Sequence, residues 1–519
     1  MTPPAADPWA FAPAARPGRR RTYGDLYVVG LSVLLFGYAL FGRSFAYLGV
    51  PPVFVGEVML AIGLGLALFT CRTSSLVPAP ALWAVLALQA WVLVRTVPYI
   101  PEFGLDAPRD AMLAGYAAYA LAVAALLIQR PRRLPEMLVR YRTLVLVLGG
   151  LGWLIYLVYS SYQEAVPTLP WAPEVHVIEN KPGDIAVHMA AIAAFLVLGW
   201  RRSSPVLLVL VVVGTAAMMV GNRGGMVGYL LAMSTFAVLR PKSASFGRFG
   251  YVVLVLIALG SVVDTSRLQT NDGNRSLSVG QLWENAKSLV GKSDQAMLSN
   301  TTEWRKQWWN KIVGYTVFGE YRWTGRGFGI NLARADGFNT DEEGSLRSPH
   351  SVHMTVLARS GLPGAALWAL VHGLWWVSLL GAWWYARERR LEAWMGFFAL
   401  CAVYWVAAVV NASFDVYLEG PMGAIWFWTV FGAAMAGTRL VRTDPTLLDG
   451  MRQSDAPPAP ARPQTWNGSD EVPRPARSAA HGTPARASWA WGEVPTGLPA
   501  YAWPPGPVTP EVGPAHSRP

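Results

Sequence analysis

Charged residues are scarce in this chain, and cysteine and histidine are scarcer still. Only 14% of the 519 residues are charged, whereas 53% are hydrophobic, which excludes an ordinary water-soluble domain. The two cysteines, Cys71 and Cys401, both lie in or beside apolar runs, which excludes a disulfide framework and a cysteine-based metal site. We expect both to be packing residues.

Apolar runs of the length needed to cross a membrane are abundant. Each run is about 20 residues long, which matches the roughly 30 Å hydrocarbon layer when the run is helical. The predicted spans are 26–42, 51–70, 80–98, 110–129, 142–160, 184–200, 205–221, 224–239, 248–265, 362–386, 391–411 and 421–439. The sequence therefore predicts an all-α integral membrane protein with about twelve transmembrane helices.

The arginines fall mainly in alternate loops, as in the cluster at 130–133, the pair Arg201 and Arg202, and the cluster at 387–390. By the positive-inside rule, this pattern predicts that both termini are cytoplasmic. The net charge of +11 then reflects membrane orientation, and we expect no nucleic-acid partner. Arginines also precede the first apolar run without a small-residue cleavage site, so this run is interpreted as a retained anchor.

The chain divides into five predicted segments. A cytoplasmic segment at 1–25 precedes nine spans within 26–265, and a large extracytoplasmic loop covers 266–349. Residues 350–440 hold a helix at the outer border and the last three spans. The proline-rich stretch at 441–519 cannot bury enough apolar surface to fold, so a disordered cytoplasmic tail is predicted there.

The large loop contains its own helical pattern. Between 299 and 318, Trp304, Trp308, Trp309 and Ile312 recur at helical spacing, which predicts an amphipathic helix lying on the membrane or on the bundle. Thr301 or Thr302 could cap its start. The following G-R-G-F-G stretch, which carries Arg326, is interpreted as a structural turn, because no strand precedes it as a nucleotide fingerprint would require.

His350 is the leading catalytic candidate. It stands where the polar loop returns to hydrophobic sequence, is followed by Ser351, and precedes Gly361 and Gly364. A neutral imidazole in such a position can accept a proton from a hydroxyl, although a capping or packing histidine is the plainer alternative. His353 shares a helical face with His350, but no third ligand recurs on that face, so we expect a supporting residue and no metal.

Three cations are candidates for binding phosphate oxygens. Arg223 lies between small residues at an outer turn, Arg305 begins the tryptophan-bearing helix, and Lys181 precedes the sixth span. A guanidinium offers a planar fork suited to phosphate, while the alternatives are a snorkelling surface arginine at 223 and pairing with Glu303 or anionic lipid at 305. Asp415 and Glu419 in the last outer loop could orient an acceptor hydroxyl or simply be solvated.

These motifs resemble those of the O-antigen ligase and O-antigen polymerase (Wzy-type) superfamily of bacterial membrane glycosyltransferases. The resemblance spans roughly residues 25–440, and its specific part is Trp304-Arg305, then the turn at 325–329, then His350-Ser351 with Gly361 and Gly364. Arg223 matches the arginine that this family carries before an apolar helix. The resemblance implies a helical bundle similar to GT-C glycosyltransferases, located in the cytoplasmic membrane with its active site outside.

The resemblance also implies the chemistry. Members take glycan from an undecaprenyl-diphosphate carrier and need no metal, nucleotide sugar or other cofactor. His350 is then the base that deprotonates the acceptor, with inversion at the sugar, and Arg223, Arg305 and Lys181 bind the diphosphate. Ser351, His353, Gly361, Gly364 and Arg326 support the site. The partners are the lipid-linked glycan, an acceptor glycan, glycolipid or protein, membrane lipid, and a chain-length regulator if the enzyme is a polymerase.

Other functions stay open at this stage. A polysaccharide flippase or other transporter is one, and it predicts internal repeats or paired charges at mid-membrane, which the sequence does not show. A protein O-oligosaccharyltransferase lies within the same superfamily and differs only in its acceptor. A scaffold that recruits partners through its proline-rich tail leaves the motifs between 302 and 364 unexplained.

Overall fold

The computed structural model describes residues 21–71, 79–253 except 243, 245 and 248, 296–339 and 346–451, with the backbone alone at 296–302. These residues are mostly helical, as the sequence predicts. The helices are α1 Tyr23–Phe41, α2 Arg43–Ala46, α3 Val55–Thr70, α4 Pro80–Thr96, α5 Ile100–Phe103, α6 Asp106–Gly115, α7 Ala118–Gln129, α8 Arg133–Ser161, α9 Pro182–Val197, α10 Pro205–Gly221, α11 Arg223–Leu239, α12 Ala296–Val317, α13 Leu332–Asp336, α14 Val352–Glu388, α15 Glu392–Ala412 and α16 Pro421–Thr443.

Among the residues that the structure describes, seven helical segments are long and apolar enough to cross a membrane. They are Tyr23–Phe41, Pro80–Phe103, Asp106–Gln129, Arg133–Ser161, Val352–Glu388, Glu392–Ala412 and Pro421–Thr443. The apolar helices α3, α9, α10 and α11 are shorter, at 16 or 17 residues. Most of the predicted span at 248–265 lies outside the described residues. The all-helical membrane class is therefore confirmed, while the count of about twelve spans is not.

Two short antiparallel hairpins interrupt the helices. Strand β1 (Gly49–Val50) pairs with β2 (Val53–Phe54), and β3 (Thr168–Leu169) pairs with β4 (Ala172–His176). The second hairpin is held against the end of α1, because Arg43 pairs with Glu179 at 3.0 Å.

Helix α9 lies at the centre of the bundle. All of its residues except Asp184 are buried, and it packs against α8, α10, α11 and α15. A helix that is apolar on every side must be surrounded by other protein elements or by lipid, and here neighbouring helices surround it.

Buried tryptophans join the helices to one another through hydrogen bonds. The indole N–H of Trp375 donates to the Phe431 carbonyl, that of Trp383 to Leu239, and that of Trp426 to Leu35. Each bond satisfies an indole that would otherwise be unpaired in an apolar interior. These tryptophans therefore pack between helices, as is expected for many of the 24 tryptophans in so apolar a chain.

One end of the bundle, which we call the arginine end, is formed by residues 22–25, 126–142 and 200–201. There Asp25 pairs with Arg130, Arg132 and the fully buried Arg133 at distances of 2.8–3.1 Å. Residues 444–451 also pack here, since Trp394 donates to the Pro445 carbonyl and Arg142 to the Met451 carbonyl. The rest of the predicted tail, from 452, lies outside the described residues.

Helix α14 bends sharply at Gly361, whose φ of +67° is not helical. Pro363 lacks an N–H, so the carbonyls before the bend lose helical partners. The glycine-rich turn satisfies two of them: Arg326 N–H donates to Ala358 and Gly327 N–H to Arg359, while the Trp91 indole donates to Ser360. A side chain at Gly361 or Gly325 would collide with the facing backbone, which explains why glycine is needed at both positions.

Candidate functional site

The opposite end of the bundle, which we call the loop end, brings several helix termini together. Helices α9, α11 and α14 begin there, and α15 ends there. The packing is close, because a Cβ placed on Gly183 would lie 2.6 Å from Asn411 Oδ1 and 2.9 Å from Asn222 Nδ2. Helix N-termini carry partial positive charge, so this arrangement favours an anion.

His350 has a backbone conformation that is rare for a residue with a side chain. Its φ is +51°, in the left-handed region, and the fixed contacts on both sides hold it there. The Trp309 indole donates to the Pro349 carbonyl at 2.9 Å, and the Ser351 carbonyl accepts the first bond of α14 from Thr355 N–H. The N-cap position of α14 is occupied by Ser351, so the half-buried His350 lies one residue outside the helix.

The imidazole faces a carboxylate from a distant part of the chain. His350 Nδ1 lies 3.8 Å from Asp415 Oδ1, and the same oxygen accepts a hydrogen bond from Lys181 Nζ at 3.2 Å. Asp415 is nearly buried, while the side chains of His350 and Lys181 are 30% and 46% exposed. The same oxygen also accepts a hydrogen bond from Val416 N–H at 2.7 Å, and its two side-chain partners both reach solvent.

The charge state of this group follows from its surroundings. Burial alone raises the pKa of the Asp415 carboxyl, but the adjacent His350 and Lys181 outweigh that effect and hold the pKa below its usual range. Burial lowers the pKa of Lys181, and the charge of Asp415 more than restores it. At neutral pH the site therefore contains an ionised carboxylate and an ammonium group.

Arg305 approaches the same carboxylate from helix α12. Burial lowers the pKa of its guanidinium, and the negative charge of Asp415 opposes that shift, which places the two groups within electrostatic reach. The helix is fixed on α14, because Trp308 and Ile312 are completely buried in a cluster with Ala358. The predicted amphipathic helix is thus confirmed and lies on the bundle, and its described part already includes Thr301 and Thr302, so neither threonine caps its start.

Arg223 is the first residue of α11 and is half-buried. Asn222 caps this helix, since its Oδ1 accepts from Gly225 N–H at 2.7 Å. The next residue, Gly224, lies against Phe414, because a Cβ there would be 3.1 Å from the Phe414 Cβ. Phe414 immediately precedes Asp415, so the chain at Arg223 runs beside the loop that carries the shared carboxylate.

His353 differs from His350 in its hydrogen bonds. The Trp368 indole donates to His353 Nδ1 at 3.1 Å, so this nitrogen is an acceptor and the proton of the neutral ring is on Nε2. Nε2 in turn lies 3.1 Å from Ser413 Oγ. With both nitrogens occupied, His353 holds α14 against the end of α15, which agrees with a supporting role and not with that of a base.

Glu419, the second acidic side chain of the last loop, is hydrogen-bonded within the fold. Glu419 accepts a hydrogen bond from Thr355 Oγ1 at 2.7 Å. Burial raises the pKa of the Glu419 carboxyl, and hydrogen bonds from Thr355 and Ser348 and the charge of Arg359 oppose the shift. Ser351, next to these groups, is buried and makes no side-chain cap bond to α14.

The remaining supporting residues shape the loop rather than line the cation cluster. Arg326 pairs with the buried Asp336 at 3.2 Å and stacks on Tyr315 at 4.3 Å. Gly364 is packed so closely on Ser360 that a Cβ would clash. These residues, with Gly361, hold the turn at 325–329 on the bend of α14.

The sequence reasoning missed one ionic network. The buried Arg359 pairs with Asp110 at 2.9 Å, and the same carboxylate oxygen accepts from Arg347 and from Gly329 N–H. This network ties α6 to the loop three residues before His350. An arginine inside an apolar helix on the arginine-poor side is a signal that could have revealed it, since such a charge requires a partner.

Metal ligation finds no support in the described residues, because no three histidine, cysteine, aspartate or glutamate side chains converge among them. What converges is the His350 imidazole, the shared Asp415 carboxylate and the Lys181 ammonium, with the Arg305 guanidinium within electrostatic reach of that carboxylate.

Comparison with known families agrees with this picture. Residues 208–369 match the family model described as O-antigen ligase. This match confirms the resemblance to the O-antigen ligase and polymerase superfamily, and together with the apolar helices it supports a membrane protein of this type. The matched stretch includes Arg223, Arg305 and His350 but not Lys181 or Asp415. No curated protein matches the sequence.

Proposed function

We propose that this protein transfers glycan from an undecaprenyl-diphosphate carrier to an acceptor hydroxyl, with inversion at the sugar and without a metal cofactor. The observation that carries the proposal is the shared Asp415 carboxylate, which has His350 at 3.8 Å and Lys181 at 3.2 Å on one oxygen, with Arg305 nearby. A base and a set of cations around one point are what glycan transfer from a diphosphate requires.

His350 is the proposed general base. Its Nδ1 faces Asp415, so Nε2 is the nitrogen that takes the proton from the acceptor hydroxyl. The hydroxyl oxygen then forms a bond to the anomeric carbon as the bond between that carbon and the diphosphate oxygen breaks. The carboxylate stabilises the imidazolium that forms, as a neighbouring carboxylate does in other histidine bases.

Lys181, Arg305 and Arg223 are the proposed diphosphate ligands. The leaving group gains negative charge in the transition state, and fixed cations stabilise it most when they are already in place. Two helix N-termini, those of α9 and α11, add their partial positive charge beside the same residues. Lys181 is the cation that can turn from Asp415 toward a phosphate, because nearly half of its side chain is exposed.

The proposed acceptor is a glycan, a glycolipid or a protein, and a chain-length regulator is a partner if the reaction is polymerisation. A flippase, the alternative class, needs a site reached from both sides of the membrane. The candidate residues gather instead at a single end of the bundle, which favours the enzyme.

The decisive experiment compares two histidine variants. Full-length protein in lipid nanodiscs receives a polyprenyl-diphosphate oligosaccharide and an acceptor, and transfer is followed by gel shift. His350→Ala should lower turnover by roughly 10²–10⁴-fold while donor binding changes little. His176→Ala, in the β4 hairpin, is the matched control and should keep wild-type turnover. A folded His350→Ala protein that transfers glycan at the wild-type rate would rule out His350 as the general base.

We also propose that the loop end faces outward from the cytoplasmic membrane and that both termini are cytoplasmic. Cysteines introduced at the exposed positions Ala335 and Lys242 test this in a Cys71→Ala, Cys401→Ala background. An impermeant maleimide applied to intact cells should label position 335 and not 242. Labelling at 242 and not at 335 would show that the topology is the reverse of the one proposed, and it would leave the proposed chemistry unaffected.

A further inference from the structure

A cleft of about 560 Å³ lies between four helices of the bundle. Its walls come from residues 79–81 at the start of α4, from Ile128 at the end of α7, and from parts of 375–382 of α14 and 434–442 of α16. Ile128 belongs to the arginine end. The cleft therefore lies at the opposite end of the bundle from His350.

The inner side of the cleft is apolar, and its opening is on the outer surface of the bundle. Trp375, Leu379 and Met435 line the cleft and are buried. Val377 and Gly381 line it as well, and both are exposed, Val377 by 70%. Because α14 and α16 are long and apolar enough to span a membrane, an opening on their outer surface faces lipid. The space is thus placed to receive an acyl chain.

Two arginines line the same cleft where α16 ends. Arg439 and Arg442 are both exposed. The guanidinium carbon of Arg442 lies 5.2 Å from the centre of the Tyr385 ring, and that of Arg389 lies 4.4 Å from the same ring. Tyr385 stands two helical turns after Ser378, which lines the cleft, so both residues share one face of α14. The cleft therefore joins an apolar interior to a group of positive charges.

We propose that this cleft binds one anionic membrane phospholipid, with an acyl chain in its apolar part and the phosphodiester at Arg439 and Arg442. Basic pockets between membrane-spanning helices are typical sites for anionic headgroups. Charge complementarity selects the occupant, because a guanidinium fork matches phosphate oxygens, whereas the cationic group of a zwitterionic lipid is repelled by the same arginines. A free phosphate ion would leave the apolar part of the cleft empty.

The chain that follows α16 does not fill the cleft. Residues 444–451 pack elsewhere at the arginine end, through the bonds from Trp394 to Pro445 and from Arg142 to Met451, and none of them lines the cleft. A lipid held there contacts α4, α14 and α16 together, so binding should raise the melting temperature.

The test uses full-length protein in a neutral detergent, and native mass spectrometry counts the lipids that stay bound. Dioleoyl phosphatidylglycerol is compared with dioleoyl phosphatidylcholine, which has the same chains and no net charge. One phosphatidylglycerol should bind in preference, and the double variant Arg439→Ala, Arg442→Ala should weaken its binding about tenfold or more. Arg387→Ala is the control, since Arg387 lies outside the cleft and stacks on Trp383 at 5.4 Å.

A second pair of variants tests the apolar part of the cleft without changing any charge. Gly381 lines the cleft, and a Cβ added there meets no atom within 4 Å, so Gly381→Trp should fold and occupy the space. Its phosphatidylglycerol binding should fall as it does in the double arginine variant. Gly373→Trp is the matched control, because Gly373 lies on the same helix, is equally free of neighbours and is outside the cleft. Melting temperatures measured without lipid check that each variant is folded.

Several outcomes overturn the proposal. Equal binding of the two lipids does so, as does unchanged phosphatidylglycerol binding in either the double arginine variant or Gly381→Trp. Displacement of the lipid by excess inorganic phosphate shows a site for a free anion. A lipid-free dimer, or lipid binding that appears only in a chain cut after Pro457, shows that a second copy or the tail fills the cleft. The measurement does not involve glycan transfer, so its failure leaves the proposed reaction intact.

Discussion

The two ends of the bundle use buried carboxylates in opposite ways. At the arginine end, Asp25 is surrounded by three arginines, and Arg133 uses its remaining N–H groups on the Leu126 carbonyl, Gln129 and Thr22. At the loop end, Asp415 shares a single oxygen between a lysine and a histidine that both reach solvent. The first cluster is closed around the fully buried Arg133, although Arg130 and Arg132 are partly exposed, whereas both side-chain partners of Asp415 are partly exposed and can change partners.

This difference separates a structural ion cluster from the proposed reactive one. A closed network gains stability from geometry in which nearly every donor has a fixed acceptor. An open network gives up part of that stability but leaves its groups able to meet a substrate. The same residue type, an aspartate near the membrane border, is expected to respond differently to mutation at the two ends.

The largest effects should come from matched substitutions that remove one charge at each end. Asp25→Asn leaves Arg133 buried without a full counter-ion, so the free energy of unfolding should fall by about 3 kcal/mol, while folded protein keeps its turnover. Asp415→Asn should reduce turnover by roughly 10²-fold and lower the melting temperature much less than Asp25→Asn does, because Lys181 and His350 can turn to water. Thermal unfolding and transfer assays on both variants test the comparison. A loss of turnover in Asp25→Asn together with a large loss of stability in Asp415→Asn would contradict it.

Arg305 should give the next largest effect. Arg305→Ala is expected to weaken donor binding and to lower turnover by about 10-fold or more, since a charge-assisted contact to the diphosphate is lost. Arg305→Lys should restore only part of both, because an ammonium does not reproduce the guanidinium fork. Arg334→Ala, an exposed arginine of the same loop, is the control. Binding of a labelled donor measures the outcome, and full rescue by lysine would show that only charge is needed.

A smaller effect concerns pH. The pKa of Asp415 is held below its usual value in the folded protein, so the unfolded chain binds the extra proton first as the pH falls. The stability that Asp415 contributes is thus present above about pH 4 and is lost as the pH falls through the folded pKa. The melting-temperature gap between wild type and Asp415→Asn should narrow on acidification from neutral pH. A gap that widens contradicts this assignment.

The smallest effect is expected from shortening the tail. A chain that stops after Pro457 keeps every described contact at the arginine end and should keep wild-type transfer and melting temperature. A chain that stops at Thr443 loses the bonds from Trp394 to Pro445 and from Arg142 to Met451, so it should melt at a lower temperature. Equal melting of the two truncated proteins would show that these bonds contribute little. Loss of transfer in the chain that stops after Pro457 would show that the tail has a function in the reaction.

Much of the fold was predictable because it depends on local pattern. Hydrophobic length predicts helices such as α8 and α15, and the recurrence of Trp304, Trp308 and Ile312 predicts the amphipathic helix in the loop. Helical periodicity is a property of neighbouring residues, so it can be recognised without knowing the partner.

The sequence by itself determined the membrane class, the helical elements and the chemical types of the candidate residues, with His350 followed by its two glycines as the most informative signal. Only the tertiary structure decided that one oxygen of Asp415 lies beside both His350 and Lys181, although Lys181 and Asp415 are 234 positions apart in the chain. It also decided the left-handed backbone of His350 and the separate, non-basic role of His353. The physical reason is that such features depend on packing between helices distant in the chain, and composition and periodicity carry no information about that packing.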